Sequence, residues 1–343
     1  MKKLLNILYV TYPDAFLALE GETVVVRREE EKPAHIPLLN LEGIVTFGYT
    51  GASPALMGAC AERGISLNFM TPNGKFLAEI CGNPQGNVVL RRTQYRWADD
   101  EAKSAAIAKN ILTGKLHNSR WVLDRAVRDH EARIDVAQVR TAARYIAEAL
   151  APLREAETLG TLRGVEGEAA MRYFDVFDEL ILQSKDDFKF SDRNRRPPTD
   201  KVNALLSFAY TMLANECASA LRSVGLDPYV GFLHRDRPGR KSLALDLMEE
   251  FRAVFADRFV LTLINTRQVE ASDFHVQENG AVKLKDDARR SFLTAWQNRK
   301  KDEIQHPFLH EKIDWGLVPY AQALLLARYM RGDLEEYPPF LWK

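Results

Sequence analysis

The sequence predicts an α+β fold in which a small β-rich N-terminal domain precedes a larger all-helical C-terminal domain. Up to residue 82, short segments rich in β-branched and aromatic residues alternate with Gly and Pro, which is typical of strands and turns. From residue 92 on, Ala, Leu, Arg and Glu dominate in segments of helical length. We therefore expect a β-rich domain over 1–82, a linker over 83–91 and a helical domain over 92–343.

Four segments of the N-terminal part predict strands, namely LLNILYV, AFLALEG, TVVVRRE and GIVTFGY, whereas REEEKPAHIP reads as a turn or loop. SPALMGACAERGIS predicts a helix, because Ser53 can cap it, Pro54 suits its first turn and Gly64 suits its end. LNFMT and FLAEIC flank Asn73-Gly74 and predict a β-hairpin.

The helical part follows from periodicity. The predicted helices cover 92–114, 115–130, 134–152, 164–183, 202–223, 242–257, 283–300 and 315–331. Between two of them lies SKDDFKFSDRNRRPPTDK, residues 184–201, which is too long and polar for a simple connector. Loops of this kind are usually functional or disordered.

Composition bounds the class of protein. The chain has 343 residues, 46% of them hydrophobic and 27% charged, which is ordinary for globular domains, and its formal net charge is zero. Its three cysteines show no CxxC spacing, so a disulfide framework or a zinc ribbon is not expected. No signal peptide is recognisable, and no stretch reaches the ~18 apolar residues of a membrane span. We expect a cytoplasmic protein with no membrane partner.

One acidic residue interrupts an apolar helical stripe in GVEGEAAMRYFDVFDELIL. Glu166 lies near the middle of the stripe that Ala170, Tyr173 and Phe174 continue, whereas Glu168 points the opposite way. An inward carboxylate in the first turn of a helix would gain a little from the helix dipole. Glu166 is thus a candidate ligand, although a cap or a partner of an arginine explains it equally well.

The stretch GFLHRDRPGRKSLALDLMEEFR offers a histidine and two acids. His234 precedes a basic loop, and Asp246 and Glu249 share one helix face at a spacing of i and i+3. That face is either solvated or, because Leu243 and Leu245 flank the acids, buried. Together with Glu166 these residues would form a set of carboxylates and one imidazole, which suits Mg²⁺ or Mn²⁺ rather than zinc.

Basic residues lie close to these candidates in sequence. Arginines beside carboxylates either pair with them or hold phosphates, and a divalent cation bordered by guanidinium groups suits a phosphodiester substrate. No Walker, GxGxxG or GxSxG motif is present. The candidate DNA-binding residues are Arg193, Arg195, Arg196, Arg235, Arg237, Arg240 and Lys241.

These motifs resemble, over essentially the whole chain, the CRISPR-associated spacer-acquisition integrases, the family of CRISPR-associated protein one. The resemblance rests on GVEGEAAMRYF, RNRRPPTDKVNALLSFAYTML, VGFLHRDRPGRKSLALDLMEEFR and LINTRQV in the order of the family. The C-terminal segment from HPFLHEKIDWG to EYPPFLWK is similar to the branch found in subtype I-C systems.

The resemblance implies a β-domain that dimerises and a helical domain that binds a metal through Glu166, His234 and Glu249, with Asp246 in support. It also implies a partner, the small ferredoxin-like CRISPR-associated protein two, with two dimers of this chain around one partner dimer. The substrates implied are double-stranded DNA fragments and CRISPR repeat DNA, and the process is antiviral defence.

The expected activity is that of a metal-dependent DNA endonuclease and integrase, in which a 3′-hydroxyl of a captured fragment attacks a phosphodiester at the edge of a repeat. Two alternatives stay open at this point. One is a metal phosphodiesterase acting on small nucleotides, which distributed basic loops disfavour. The other is a non-catalytic DNA-binding scaffold whose acids only pair with arginines.

Overall fold

The structure is a computed structural model, and it describes residues 7–29, 31–72, 76–80, 88–194 and 197–343. The chain divides into two compact units, a smaller one that contains the N-terminal residues and a larger one that contains most of the helices. The first unit comprises Met1–Gln85, Leu284–Glu303 and Asp314–Leu317, and the second comprises Gly86–Lys283, Ile304–Ile313 and Val318–Lys343.

The first unit contains two sheets. The four-stranded sheet has the order β1 (Ile7–Val10), β5 (Gly43–Phe47), β6 (Ser66–Met70) and β7 (Phe76–Ile80). The three-stranded sheet consists of β2 (Phe16–Glu20), β3 (Thr23–Arg27) and β4 (Ala34–Pro37). In the larger sheet β1, β5 and β6 are parallel and β7 is antiparallel to β6, whereas the smaller sheet is entirely antiparallel.

The predicted strands are all present, but the prediction of a turn or loop over REEEKPAHIP was wrong for its last four residues. Strand β4 lies within that segment and pairs with β3 from Val26 opposite Ala34 to Thr23 opposite Pro37. A mostly exposed segment without an apolar alternation becomes a strand here because a neighbouring strand supplies its hydrogen bonds. The predicted Asn73-Gly74 turn lies outside the described residues.

The predicted helix α1 (Pro54–Arg63) is confirmed together with its caps. The Ser53 hydroxyl accepts a hydrogen bond from the Leu56 N–H at 3.2 Å, and Gly64 ends the helix in the left-handed conformation with φ of 68°. Leu56 and Cys60 are fully buried in the core of this unit. Cys60 and Cys217 are both buried free thiols, and Cys81 lies outside the described residues.

The second unit is mostly helical, as predicted. Its helices are α2 (Val88–Asp99), α3 (Glu101–His130), α4 (Val136–Glu148), α5 (Leu150–Glu155), α6 (Leu159–Asp175), α7 (Lys201–Ser223), α8 (Ser242–Glu249), α9 (Arg258–Asn265) and α11 (Val318–Met330). A π-helical turn, Arg252–Asp257, joins α8 to α9. None of the helices in the described part of the chain is long and apolar enough to cross a membrane.

The C-terminal region is not purely helical. It also contains four strands of three residues each, in two separate two-stranded sheets. These are β8 (Phe274–Val276), β9 (Val282–Leu284), β10 (Glu303–Gln305) and β11 (Lys312–Asp314).

Helix α10 (Asp286–Lys300) belongs to the first unit, although it follows the helical region in sequence. The Gln297 amide donates to the Ile7 carbonyl at 3.0 Å, and the Arg289 guanidinium lies 5.3 Å from the centre of the Phe47 ring. The predicted domain boundaries divide the chain once, in sequence order, and so did not assign a later helix to the N-terminal unit. The predicted linker 83–91 is helical from Val88, where α2 begins.

Two predicted helix boundaries were wrong in ways that matter for the site. The predicted break between 114 and 115 is absent, because α3 continues through Gly114. The predicted helix 164–183 starts earlier and ends earlier, since α6 is capped by Thr158 and finishes at Asp175. The described residues of 184–200 form neither helix nor strand before α7 begins. Two aromatic residues of this segment, Phe188 and Phe190, are buried.

Candidate metal centre

Glu166 lies on α6 and points towards α3. The side chain of Thr158 accepts a hydrogen bond from the Thr161 N–H at 3.2 Å and begins the helix, so Glu166 lies beyond its second turn. The prediction of a first-turn position was therefore wrong, and the helix dipole contributes little at Glu166. Its side chain is 25% exposed and forms an ion pair with Lys115. Glu168, as predicted, is exposed.

Helix α8 carries the other two acids, and both are buried. Asp246 is 0% exposed and Glu249 is 4% exposed, which excludes the solvated face that the spacing also allowed. Glu249 is the last residue of α8, and both of its oxygens accept from the Arg252 guanidinium, at 2.9 and 3.0 Å. Its Oε2 atom lies 2.7 Å from the Lys115 ammonium.

Asp246 holds the loop that carries His234. One carboxylate oxygen accepts from the backbone N–H groups of Phe232 and Leu233, at 2.6 and 3.0 Å. The other oxygen accepts from the His234 N–H at 2.9 Å and lies 2.6 Å from the imidazole Nδ1. Because Nδ1 is engaged in this way, Nε2 is the ring nitrogen that would bind a metal, as in histidines that are metal ligands. Asp246 thus fixes both the backbone and the imidazole of His234.

Arg163 ties this loop to the helix of Glu166. Its Nε atom donates to the Leu233 carbonyl at 3.0 Å, next to His234. Since Arg163 and Glu166 are one helical turn apart on α6, this hydrogen bond couples the histidine to the first carboxylate. The loop is therefore fixed from both sides, by Asp246 and by Arg163.

Lys115 brings the two glutamates together. Its ammonium contacts Glu166 from α6 and Glu249 from α8, and its own side chain is only 11% exposed. An ammonium held between two carboxylates marks a position at which the protein binds positive charge. The two carboxylates and the imidazole Nε2 have the ligand chemistry that Mg²⁺ or Mn²⁺ requires.

The charges around Glu249 shift its pKa. Burial alone would raise the pKa of Glu249, but Arg252, Lys115 and His234 hold it well below its ordinary value. Glu249 is therefore ionised at neutral pH, and it presents a negative charge to a cation. Within the described residues, however, no three side chains of His, Cys, Asp or Glu are grouped closely enough to hold a metal ion, since Lys115 lies between the glutamates.

A second buried group adjoins the centre. Asp257, at the end of the π-helical turn, accepts from the hydroxyls of Tyr173 (3.1 Å) and Tyr210. Burial raises the pKa of Asp257 to about 6, although Arg252 and the two hydroxyls oppose the shift. A cavity of about 40 Å³ is lined by Glu166, Tyr173, Arg252 and Asp257 among others, so this cluster and Glu166 border the same cavity.

The candidate DNA-binding residues fall into two groups. Arg235 and Arg237 are exposed on the loop that follows His234, whereas Arg240 and Lys241 are partly buried, with the Lys241 ammonium 3.3 Å from Asn215 Oδ1. Arg193 donates to the side chains of Asn203 and Ser207 and so fixes the segment to α7. Arg195 and Arg196 lie outside the described residues.

Sequence reasoning missed Lys115, Arg163 and Arg252. A signal existed for Lys115, because it follows Ile111 by four residues and precedes Val122 by seven, so it falls within an apolar stripe of α3. Arg252 lies three residues after Glu249, a spacing at which ion pairs form on helices. For Arg163 the sequence holds no such signal, since its acceptor is a backbone carbonyl on a distant loop.

Comparison with known proteins places the chain in a family. The family described as CRISPR associated protein Cas1 matches residues 8–298. The CRISPR-associated endonuclease Cas1 1 of Chlorobaculum tepidum is 49% identical over 343 residues, with both chains covered completely.

Two solved structures share the fold. A casposase bound to its integration product is 26% identical with a TM-score of 0.83, over 98% of this chain and 93% of that one. A Cas6-RT-Cas1–Cas2 complex matches with a TM-score of 0.83 and 23% identity, over 98% of this chain and 36% of that one. Since the family covers most of the sequence and the Chlorobaculum tepidum relative matches it from end to end, this chain belongs to the Cas1 family of CRISPR-associated proteins.

Proposed function

We propose that this chain is a divalent-metal-dependent DNA endonuclease and integrase that inserts captured DNA fragments as new spacers into a CRISPR array. The observation that carries the proposal is the convergence of Glu166 and Glu249, from separate helices, on the single ammonium of Lys115, beside the oriented imidazole of His234. Named relatives support it, since one is an endonuclease and a structural neighbour is bound to an integration product.

The proposed reaction is a transesterification. The 3′-hydroxyl oxygen of the fragment forms a bond to a phosphorus of the repeat DNA, and the bond from that phosphorus to its own 3′-oxygen breaks. The attacking hydroxyl loses a proton and the departing oxygen gains one, so one phosphodiester replaces another and no external energy source is needed. Water in place of the hydroxyl would give strand cleavage at the same centre.

We propose that Glu166, His234 and Glu249 hold the metal, Mg²⁺ or Mn²⁺. The cation would supply positive charge to the phosphoryl oxygens and to the departing oxygen. Asp246 keeps the imidazole in position through Nδ1, and Arg163 keeps the loop against α6. Arg252 holds Glu249 ionised and fixes its direction.

We propose that the exposed arginines next to the centre position the DNA. Arg235 and Arg237 follow His234 directly, so phosphates bound there would lie beside the reacting one. Arg193, Arg195, Arg196, Arg240 and Lys241 are proposed DNA-binding residues on the basis of the sequence. Such interactions with phosphates set position and affinity and carry little sequence information.

The proposed assembly is a cytoplasmic complex of the subtype I-C kind. In it residues 1–82 form the homodimer, 83–91 link, and 92–343 carry the catalytic centre. Two dimers would surround one dimer of the ferredoxin-like protein Cas2. The Cas6-RT-Cas1–Cas2 complex, which has the same fold in one of its parts, supports this partner.

Integration in vitro tests the proposal. Labelled fragments with free 3′-hydroxyls are incubated with Cas2 and a supercoiled plasmid that carries a repeat array, over a titration of Mg²⁺ and of Mn²⁺. The wild-type chain should join fragments only with the ion present, whereas Glu249→Gln and His234→Ala should bind DNA normally and join none. A chain that binds DNA tightly but neither joins nor cuts it with either ion would be a scaffold.

A separate measurement tests the arginines. Replacing Arg235 and Arg237 by glutamine should weaken duplex binding for all sequences alike. It should also reduce the slope of log affinity against log salt, by ~0.9 for each phosphate that the protein no longer neutralises. Asp236→Asn, a change on the same exposed loop, serves as the control and should leave affinity the same or slightly tighter. An unchanged slope in the double variant would show that these arginines do not bind phosphates.

A further inference from the structure

The last residues of the chain bind a buried carboxyl group beside the candidate centre. We define residues 337–342 as the C-terminal strap. The fully buried Glu250 accepts hydrogen bonds from the Tyr337 hydroxyl, from the Phe340 N–H at 2.6 Å and from the Gln322 amide at 3.0 Å. Two of these donors belong to the strap itself, and Gln322 also donates to the Tyr337 hydroxyl at 2.8 Å.

The same strap is bound to α3 through one asparagine. The amide nitrogen of Asn118, which is fully buried, donates to the carbonyls of Glu250 and Phe340, at 2.7 and 2.8 Å. Its oxygen accepts from the Trp342 N–H at 2.8 Å. Asn118 therefore joins three segments, namely α3, the end of α8 and the strap.

Helix α3, the end of α8 and the strap are closely packed against one another. A Cβ atom added at Gly114 would lie 3.1 Å from the Cγ atom of Glu250 and 3.4 Å from the Phe340 carbonyl oxygen. The Phe340 ring also packs edge-on against Phe251, with the ring centres 5.6 Å apart. A glycine in the middle of a long helix costs ~1 kcal/mol relative to alanine, and here it is the residue that permits the close approach.

The anchored residues are the chain neighbours of two site residues. Glu250 directly follows Glu249, and Gly114 directly precedes Lys115, with Asn118 one turn further on. Beyond Glu249 the α-helix ends and the π-helical turn begins, so the backbone there is not held by regular helical hydrogen bonds alone. The hydrogen bonds of the Glu250 side chain also hold this stretch.

We infer that the C-terminal strap is a positioning element for the centre, and that Tyr337, Asn118 and Gly114 are positioning residues which set the separation of Glu249 from Lys115. The inference rests on the proposed function, because the role of Glu249 as a ligand is part of that proposal. Functional groups need to be held within about 0.5 Å of their productive geometry, which requires surrounding hydrogen bonds and packing of this kind.

Hydrogen exchange of the metal-free full-length protein tests the strap without reference to any ion. Tyr337→Phe removes one hydroxyl, and Gly114→Ala adds one methyl group against Glu250. Both should speed exchange in the peptides that contain 247–252 and 114–118. The matched controls are Tyr329→Phe, whose hydroxyl does not contact Glu250, and Gly58→Ala, which has open space around it on α1. Both controls should exchange at the wild-type rate.

Mn²⁺ binding, measured by electron paramagnetic resonance, then separates positioning from mere stability. We expect about a tenfold loss of Mn²⁺ affinity for Tyr337→Phe and for Gly114→Ala. The control is Val139→Ala, which creates a cavity on the buried face of α4. It should lower the thermal midpoint at least as much as Tyr337→Phe and Gly114→Ala do, but leave Mn²⁺ affinity unchanged. Wild-type exchange and wild-type Mn²⁺ affinity in Tyr337→Phe would overturn the inference.

Two other outcomes are distinct from this one. Faster exchange with unchanged Mn²⁺ affinity would also overturn the inference, because the strap would then stabilise the fold without positioning the ligand. If the wild-type chain binds no Mn²⁺, the proposed function fails. The exchange measurement then decides by itself whether the strap holds the end of α8.

Discussion

Replacing Asp246 by asparagine removes a charge that four donors share. The carboxylate accepts from three backbone N–H groups and faces the His234 imidazole nitrogen, all within 3.0 Å, and it is completely buried. An asparagine has one acceptor oxygen, so its NH₂ group must face either the N–H groups of Phe232 and Leu233 or those of His234. Two buried donors are left without an acceptor in either orientation.

The expected cost follows from that count. Each unsatisfied buried donor costs about 1–3 kcal/mol, so Asp246→Asn should lower the free energy of unfolding by roughly 2–6 kcal/mol. Because the imidazole also loses its anchor, Mn²⁺ affinity and the rate of strand transfer should fall by about 10–100-fold, the usual effect of removing a group that orients a ligand. Urea unfolding and Mn²⁺ titration measure the two effects separately.

The control for this variant is Asp236→Asn, which removes the same charge from the exposed part of the same loop and should leave both quantities unchanged. The reasoning is refuted if Asp246→Asn unfolds at the wild-type urea concentration and binds Mn²⁺ with wild-type affinity. Loss of stability with full Mn²⁺ affinity would refute only the orienting role assigned to Asp246.

Three further predictions concern charge, pH and assembly. Lys115→Met leaves Glu166 and Glu249 without their shared cation, so the metal-free protein should lose roughly 3 kcal/mol of stability. Mn²⁺ should raise its melting temperature more than that of the wild type, and equal shifts would contradict this. Burial lowers the pKa of His306 from its ordinary 6.5 to about 4. As the pH falls through this window, the unfolded chain binds a proton that the folded chain does not, so the free energy of unfolding should drop by roughly 3 kcal/mol. Urea unfolding of His306→Asn should show a smaller drop over the same pH range. Light scattering should give about twice the 39.0 kDa chain mass; a monomeric full-length chain would refute the dimer.

Local signals in the sequence were sufficient for much of the fold. The caps of α1 at Ser53 and Gly64 were readable because each depends on a residue and its immediate neighbours. The strands of the first unit were readable from their β-branched residues. Strand β4 was not, because pairing with β3 determines it and its own side chains are mostly exposed.

At the candidate centre, too, local features could be predicted from the sequence whereas contacts between distant segments could not. Glu166 and the pair Asp246 and Glu249 could be proposed from the sequence because acids at apolar helix positions stand out. The interactions that join them depend on packing between helices far apart in sequence, as the bridge from Lys115 and the hydrogen bond of Arg163 show. The early start of α6 at Leu159, with Thr158 as its cap, was also not predicted, since the apolar pattern becomes clear only after Glu166.

The most direct test of the account is the stoichiometry of Mn²⁺ binding in two variants of neighbouring acids on α6. Glu166→Gln removes a proposed ligand, and Glu168→Gln removes the same charge from an exposed position two residues away. The account predicts one Mn²⁺ per chain for the wild type and Glu168→Gln, with normal strand transfer, and neither binding nor transfer for Glu166→Gln. Wild-type Mn²⁺ binding and strand transfer in Glu166→Gln would contradict it.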